Sequence, residues 1–135
     1  MDLDLALRKT NENPVYYAQY AHARICSVIK LAKEQGFEAT SVEKYEYLNE
    51  KAAILLTLLS KYPRIVSDFA LKRIPNKLTN FIQELSSAFH SYYNAEKFIT
   101  DNPTETNEKL RLIEAIRIVL NDALKLIGVS APNKM

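Results

Sequence analysis

The sequence predicts an all-α fold, a helical bundle of about five helices. Apolar residues recur at spacings of three and four along most of the chain, as on the buried face of a helix. No alternating pattern typical of a β-strand extends beyond a few residues. The chain has 135 residues, the size of one domain, so we expect the helices to share one hydrophobic core. The predicted boundaries lie at Gly36, Pro63, Pro75, Pro103 and Gly128.

The first helix is predicted to begin at Asn13-Pro14. Asparagine is a good N-cap, and proline at the first helical position loses no hydrogen bond. Gly36 can end this helix, because glycine readily adopts the left-handed conformation that follows many last turns. Residues 1–12 are polar and are expected to form a connector. The apolar stripe of this helix consists of Val15, Ala18, Ala21, Ile25, Val28 and Ala32.

The second helix has two possible starts. Thr40-Ser41-Val42-Glu43 has the spacing of a capping box, so a helix can begin at Glu43. The alternative is a new start near Asn49, and in both cases the helix extends to Lys61. Its broad apolar face consists of Leu48, Ala52, Leu55, Leu56 and Leu59.

Three more helices are predicted in the rest of the chain. Pro63 and Pro75 each resemble a first helical residue, where the missing N–H costs no hydrogen bond. The helix at Pro63 is short, and the helix at Pro75 is long and extends to about Phe98. The last helix extends from about Thr104 to Ile127.

The composition excludes some classes of function. The only glycines, Gly36 and Gly128, are too far apart to form a glycine-rich loop that binds phosphates. Cys26 is the only cysteine, so no internal disulfide forms, and we expect a small buried residue in a reducing compartment. The net charge of +2 is a weak argument for nucleic-acid binding, because modules that bind strongly are usually more basic.

Neither a membrane span nor a metal site is predicted. The acidic start Met1–Asp4 is not a signal peptide, and the longest apolar run, residues 52–59, is too short to cross a bilayer. His22 and His90 lie on different predicted helices, and no further ligands are spaced to join them. No strained elbow or oxyanion loop indicates a Ser–His–Asp catalytic site.

One polar feature of the first helix indicates a binding surface. Tyr17, Tyr20 and Arg24, here called the tyrosine strip, are spaced i, i+3 and i+7 and therefore share one helix face. Unstacked RNA bases bind to such surfaces, stacking on rings or guanidinium planes. The alternative is that the tyrosines pack against a neighbouring helix and Arg24 pairs with a carboxylate. The fourth helix carries a second cluster with the same two interpretations, formed by His90, Tyr92, Tyr93 and Asn94.

Three segments, residues 13–25, 88–94 and 119–135, resemble the C-terminal domain of bacterial arginyl-tRNA synthetases. The first, Asn-Pro-Val-Tyr-Tyr-Ala-Gln-Tyr-Ala-His-Ala-Arg-Ile, is similar to the opening helix of that domain nearly letter for letter. The second, Ala-Phe-His-Ser-Tyr-Tyr-Asn, resembles a later helix. The third contains Asp122-Ala123-Leu124-Lys125, which is similar to the Asp-Ala-Leu-Arg signature of this domain class with lysine in place of arginine. The resemblance covers essentially the whole chain.

The resemblance implies a class I synthetase anticodon-binding domain over residues 1–135, with residues 1–12 as the connector from a catalytic domain of the same polypeptide. The implied partner is the anticodon loop of tRNA-Arg, and no cofactor or metal is implied for this domain. The catalytic domain would use ATP and magnesium for aminoacylation in the cytoplasm. Its His-x-Gly-His and Lys-Met-Ser-Lys-like motifs do not occur here, so we expect no catalysis by this chain alone.

The resemblance also implies which residues contact RNA. His22, His90 and Asn94 match letters of the family motifs, and their roles are left open between binding and holding the helices in register. The stiff Ala131-Pro132 step and the family match predict that the tail after Gly128 folds back onto the bundle and lies near the tyrosine strip. The implied anticodon contacts are Tyr17, Tyr20, Arg24, Tyr93 and Met135.

The genetic code makes one of these contacts specific. Every arginine codon has G at its middle position, so every arginine anticodon has C there. The Watson–Crick edge of cytosine offers two acceptors, O2 and N3, and an arginine side chain is donor-only, so Arg24 could satisfy both.

Two other classes of function remain as alternatives. A helical protein-interaction module without RNA binding predicts an exposed apolar groove and no salt-dependent affinity for RNA. A small enzyme predicts a pocket with a perturbed acid or base, for which the sequence offers no residue set.

Overall fold

A computed structural model of the chain describes residues 13–135, so the predicted connector, residues 1–12, lies outside the described residues. Four α-helices occur in the described part, and no strand occurs there. They are α1 (Pro14–Glu34), α2 (Glu50–Lys72), α3 (Pro75–Ala95) and α4 (Pro103–Leu126). The all-α prediction is confirmed, with one helix fewer than the five expected.

Asparagine side chains cap three of the four helices. Asn13, Asn49 and Asn102 each accept hydrogen bonds from backbone N–H groups of the first turn of α1, α2 and α4. Proline follows at the first helical position of α1 and α4. The predicted start at Asn13-Pro14 is therefore confirmed.

The second helix begins after Asn49, so the alternative start at Glu43 is wrong. The backbone before Asn49 is bound by side chains of α4 instead of forming its own helical bonds. Glu108 Oε1 accepts from the backbone N–H groups of Glu46 at 2.6 Å and Tyr47 at 3.1 Å. A capping-box spacing cannot reveal this competition, because the competing acceptor lies about sixty residues away in sequence.

The prediction of a helix break at Pro63 is also wrong. α2 continues through Pro63 to Lys72, although proline cannot donate the bond that the carbonyl of Leu59 would accept. Pro63 is exposed, whereas Ile65 and Phe69 in the following turns pack against the core. Their packing holds the second half of the helix in place and outweighs the lost hydrogen bond. The helices expected on each side of Pro63 are therefore one helix.

The core lies between α3, α4 and the inner faces of the other two helices. α1 packs against α3 and α4, and α2 packs mainly against α3. α3 ends at Ala95, three residues before the predicted end, and α4 lies within one residue of its predicted bounds. The largest fully buried side chains are Phe89, Ile25, Leu55, Leu78, Ile82, Leu85, Leu112, Ile113, Ile116, Leu120, Leu124 and His22. None of the described helices is long and apolar enough to cross a membrane.

The segment Asp122–Lys125 has a packing role. Ala123 and Leu124 are buried in the core. Asp122 accepts a hydrogen bond of 2.5 Å from the hydroxyl of Tyr62, which joins α4 to α2. Burial, and then this carboxylate, raise the pKa of Tyr62. Lys125 is exposed, so a lysine is tolerated where the family signature has arginine.

We expect Pro63→Ala to stabilise the domain. Alanine restores an N–H that can bond to the carbonyl of Leu59, and proline inside a helix costs about 3 kcal/mol relative to alanine. Greater freedom of the unfolded chain offsets about 0.4–1 kcal/mol of this gain. The net increase of about 2 kcal/mol would be measured by urea denaturation.

The matched control is Pro75→Ala at the first position of α3. No helical hydrogen bond is missing there, so this variant should show no comparable gain. An unchanged or lower unfolding free energy for Pro63→Ala would contradict the interpretation.

Candidate nucleic-acid interface

The packing of α1 against α3 brings four of the five predicted contact residues together. The Cζ atom of Arg24 lies 4.5 Å from the ring centroid of Tyr20 on its own helix. The same atom lies 4.3 Å from the ring centroid of Tyr93 on α3. The guanidinium is therefore in cation–π contact with two tyrosines, an arrangement that restricts its orientation.

His90 on α3 contacts all three residues of the tyrosine strip. Its ring centroid lies 4.2 Å from that of Tyr17 and 5.6 Å from that of Tyr20, the latter nearly parallel at 22°. Its Nδ1 lies 3.1 Å from Nη1 of Arg24, and its Nε2 lies 3.3 Å from the backbone carbonyl of Tyr17. We call Tyr17, Tyr20, Arg24, His90 and Tyr93 the arginine cluster.

The two hydrogen bonds fix the protonation of His90. A guanidinium only donates, so Nδ1 of His90 accepts from Arg24 and carries no proton. A carbonyl only accepts, so Nε2 carries the proton and donates it to Tyr17. Burial lowers the pKa of His90, and the charge of Arg24 lowers it further, against the opposing effect of the bond to the carbonyl. The geometry thus requires the neutral imidazole.

The structure shows which partners Arg24 has within the domain. Among the described residues no carboxylate lies within ion-pair distance of it, so the pairing with a carboxylate that was the alternative for Arg24 does not occur there. Its side chain makes one hydrogen bond within that part of the chain, to His90. Arg24 is half-buried, and its remaining N–H groups are left for water or a ligand.

The tyrosines also have packing partners. The ring of Tyr93 lies 6.0 Å from that of Phe89 and 5.9 Å from that of Phe98. Tyr92 is buried and has an edge contact with Phe98, so it belongs to the core. Asn94 is exposed at the end of α3. The packing interpretation is therefore correct for Tyr92, and Tyr93 joins the core to the arginine cluster.

The tail after α4 folds back onto α1, as predicted. Gly128 ends α4 with a positive φ of 80°, which a glycine adopts without strain. Three side chains along one flank of α1 then contact the tail. The contacts are Gln19 Nε2 to the Ser130 carbonyl at 2.9 Å, His22 Nδ1 to the Pro132 carbonyl at 2.8 Å, and Cys26 Sγ to Asn133 Oδ1 at 3.7 Å.

The tail contacts a different flank of α1 from the one that carries the tyrosine strip. At 100° per residue, the flank that contacts the tail lies roughly 160° around α1 from that strip. The contacts also proceed towards the C-terminal end of α1, away from Tyr17 and Tyr20. Met135 is 51% exposed. Its predicted place near Tyr17 and Tyr20 and its contact with RNA both stay predictions.

Cys26 differs from its expected role as a core residue. It is half-buried against the tail, and burial raises the pKa of its thiol. The described residues contain no group of three or more histidines, cysteines or carboxylates that could hold a metal ion.

Comparisons with known proteins show to which family the chain belongs. The model of the family described as "DALR anticodon binding domain" matches residues 18–135. The chain belongs to this family. The signature residues Asp122–Lys125 and the arginine cluster lie within or at the edge of the matched range.

Curated relatives are named arginine–tRNA ligase. The protein of Bacillus pumilus is 52% identical over 138 residues, which cover 99% of this chain and 25% of the relative. The protein of Bacillus subtilis is 50% identical over 136 residues, which cover 99% of this chain and 24% of the relative. The chain thus spans about a quarter of the length of these relatives.

Two solved structures share the fold. A Campylobacter jejuni protein provisionally named arginyl-tRNA synthetase matches with a TM-score of 0.83 and 28% identity, over 100% of this chain and 29% of that one. The Thermus thermophilus arginyl-tRNA synthetase matches with a TM-score of 0.82 and 24% identity, and the match covers 98% of this chain and 23% of that one. The second likeness concerns the fold alone.

We expect the stability of the domain to fall on mild acidification because of His90. Its pKa is lowered in the folded state from the ordinary value of 6.5, so the unfolded chain takes up the proton first. The contribution of neutral His90 to the unfolding free energy is complete above about pH 6.5 and is lost as the pH falls through the pKa of the folded state. Urea denaturation between pH 5 and 8 measures it.

His90→Gln is the control, since glutamine can accept from Arg24 and donate to Tyr17 but does not titrate in this range. Its unfolding free energy should depend less on pH than that of the unchanged domain. Identical pH profiles would show that His90 is not held neutral.

Proposed function

We propose that this domain binds the anticodon loop of an arginine tRNA through the arginine cluster, as part of an arginine–tRNA ligase. The observation that carries the proposal is the environment of Arg24. Its guanidinium lies between two tyrosine rings, hydrogen-bonds to His90 and has N–H groups without a partner among the described residues. The family membership and the names of the relatives support the assignment.

The arrangement suits the recognition of one base by its edge. Stacking and the bond to His90 restrict Arg24 before any ligand binds, so little side-chain entropy is lost on binding. The free N–H groups of a guanidinium form a planar fork. Cytosine presents two acceptors, O2 and N3, and a base that presents a donor there leaves a buried group unpaired. The middle base of every arginine anticodon is a cytosine, so one such site serves all of them.

The tyrosines would supply affinity without choosing a base. Base–aromatic stacking is worth about 1–3 kcal/mol per base and depends little on base identity. Tyr20 and Tyr93 already contact Arg24 on the faces that point to it, so a base would stack on their remaining surface or on Tyr17. Met135 would add a contact if the tail shifts on binding.

The longer enzyme would carry out the chemistry elsewhere in its sequence. Residues 1–12 would lead from the catalytic domain, and that domain would bind ATP with magnesium, arginine and the acceptor end of the tRNA. The anticodon-binding domain itself would need no cofactor. Aminoacylation of tRNA-Arg takes place in the cytoplasm, where we expect the protein to work.

Arg24→Ala should remove the preference for a cytosine at the middle position. By analogy with base-edge contacts in duplex DNA, such a contact discriminates by about 1–3 kcal/mol. We expect about tenfold or more weaker binding of a C-centred anticodon stem-loop and little change for a G-centred one. Fluorescence anisotropy with both RNAs measures the ratio, and a thermal midpoint of each variant reports any loss of folding.

Two variants serve as controls for this experiment. Arg24→Lys keeps the charge without the planar fork, so it should lose most of the preference as well. Arg64→Ala removes an exposed arginine of α2 and should leave the ratio unchanged. If Arg24→Ala weakens both loops equally, Arg24 only clamps phosphate or supports the packing, and recognition of cytosine is wrong.

Tyr17→Ala and Tyr20→Ala should weaken the binding of both stem-loops by similar factors, because stacking tolerates any base. Tyr17 is the sharper probe, since its ring contacts His90 whereas the ring of Tyr20 supports Arg24. Loss of binding to the C-centred loop alone after Tyr17→Ala would contradict a role in general stacking.

The chain alone should neither activate arginine nor charge tRNA. It lacks the His-x-Gly-His and Lys-Met-Ser-Lys-like segments that handle ATP in the family. Arginine-dependent exchange of pyrophosphate into ATP is the measurement, and a rate above that of a protein-free blank would overturn the expectation.

A further inference from the structure

A second surface of the domain is strongly cationic. Lys30 and Lys33 of α1, Glu114 and Arg117 of α4, and Lys134 of the tail line one cavity of about 690 Å³, here called the cationic cleft. It is lined on one side by the flank of α1 that contacts the tail. It is therefore separate from the arginine cluster, which lies on the other flank.

The charges of the cationic cleft are poorly compensated within the domain. Its only carboxylate, Glu114, is bound by Arg117 through Nε at 3.0 Å and Nη2 at 2.5 Å. Lys30, Lys33 and Lys134 have no hydrogen-bond or ion-pair partner among the residues that the structure describes. Four cations and one carboxylate give a net charge of +3, whereas the whole chain carries +2. The remainder of the chain is thus slightly acidic, and the positive charge is concentrated here.

The tail completes the cationic cleft. The contacts of Gln19, His22 and Cys26 hold residues 130–133 along α1, and the next residue, Lys134, lines the cavity. Like charges that line one cavity repel one another, and a bound anion would offset this repulsion. Three lysines line one cavity whose single carboxylate, Glu114, is already paired with Arg117, so the cationic cleft favours an anionic ligand.

We propose that the cationic cleft binds phosphodiester groups of the RNA strand next to the anticodon loop. The proposal rests on the proposed function, since it concerns the same RNA. Lys30 is six residues after Arg24, which is about 9 Å along α1. At 100° per residue, Lys30 also lies about 120° around the helix from Arg24. We therefore expect phosphates a few nucleotides from the base at Arg24 to reach the cationic cleft across the exposed side of α1.

The experiment compares two triple variants of the 135-residue chain that remove the same charge. Lys30→Ala, Lys33→Ala and Lys134→Ala neutralise the cationic cleft. The control replaces Lys61, Arg64 and Lys72 with alanine in a second exposed cluster around Asp68, on α2. Binding of the C-centred and G-centred stem-loops is measured from about 50 to 300 mM salt.

The cleft variant should bind both RNAs about tenfold more weakly at moderate salt, with the ratio between them unchanged. Its plot of log affinity against log salt should be shallower by about 2, since each phosphate contact on a single strand contributes roughly 0.7. The control variant should keep the affinity within about twofold and the slope of the unchanged domain. Equal losses in the two variants would mean that only net charge matters and would overturn the proposal.

A second arm tests the tail. Gln19→Ala removes the bond to the Ser130 carbonyl and should weaken binding through Lys134. The double variant Gln19→Ala, Lys134→Ala should therefore lose less binding free energy than the sum of the losses of the two single variants. Additive losses would show that the tail contact does not position Lys134.

The outcomes separate this inference from the proposed function. If Arg24→Ala abolishes the preference for cytosine while the cleft variant binds normally, the arginine cluster recognises RNA and the cationic cleft does not. If the unchanged domain shows no salt-dependent binding of either stem-loop, both are wrong.

Discussion

The hydrogen bond between Arg24 and His90 is the contact on which the rest of the interface depends. The guanidinium can only donate, so it requires the imidazole tautomer that is protonated on Nε2. That proton then bonds to the backbone carbonyl of Tyr17, one turn before Tyr20. Two kinds of contact thus join α1 to α3. Arg24 contacts the ring of Tyr93, and His90, which accepts from Arg24, donates to the backbone carbonyl of Tyr17. The register of the two helices and the orientation of Arg24 are set together.

The second histidine of the chain holds the tail. His22 Nδ1 lies 2.8 Å from the carbonyl of Pro132, which can only accept, so Nδ1 carries a proton and donates it. Nε2 is buried without a partner in the described part of the chain, which costs about 1–3 kcal/mol. The hydrogen bonds of the tail to α1 therefore outweigh the cost of burying Nε2 of His22 without a partner. Two histidines on separate flanks hold the arginine cluster and the cationic cleft to the same helix, α1.

The sequence is a good guide wherever one local signal decides the structure. Asn13-Pro14 begins α1 as predicted, because cap and proline act within one turn. Pro63 does not break α2, because the packing of residues distant in sequence outweighs the missing N–H. The i, i+3, i+7 spacing revealed the tyrosine strip, but no spacing within α1 could show that His90 would bind Arg24. The spacing within α1 also could not show which flank holds the tail, since those contacts join residues more than a hundred positions apart.

The small net charge of the chain is compatible with RNA binding once its distribution is known. A global field would attract RNA without aligning it, whereas the charge here is concentrated beside the helix that carries Arg24. Phosphate contacts contain no information about sequence, and base-edge contacts supply little attraction at long range. In the proposed arrangement the two kinds of contact lie on opposite flanks of one helix, so salt-sensitive affinity and salt-insensitive selectivity would vary independently. The rigid element between them is α1, so a change in its packing against α3 would alter selectivity without altering the charge that attracts the RNA.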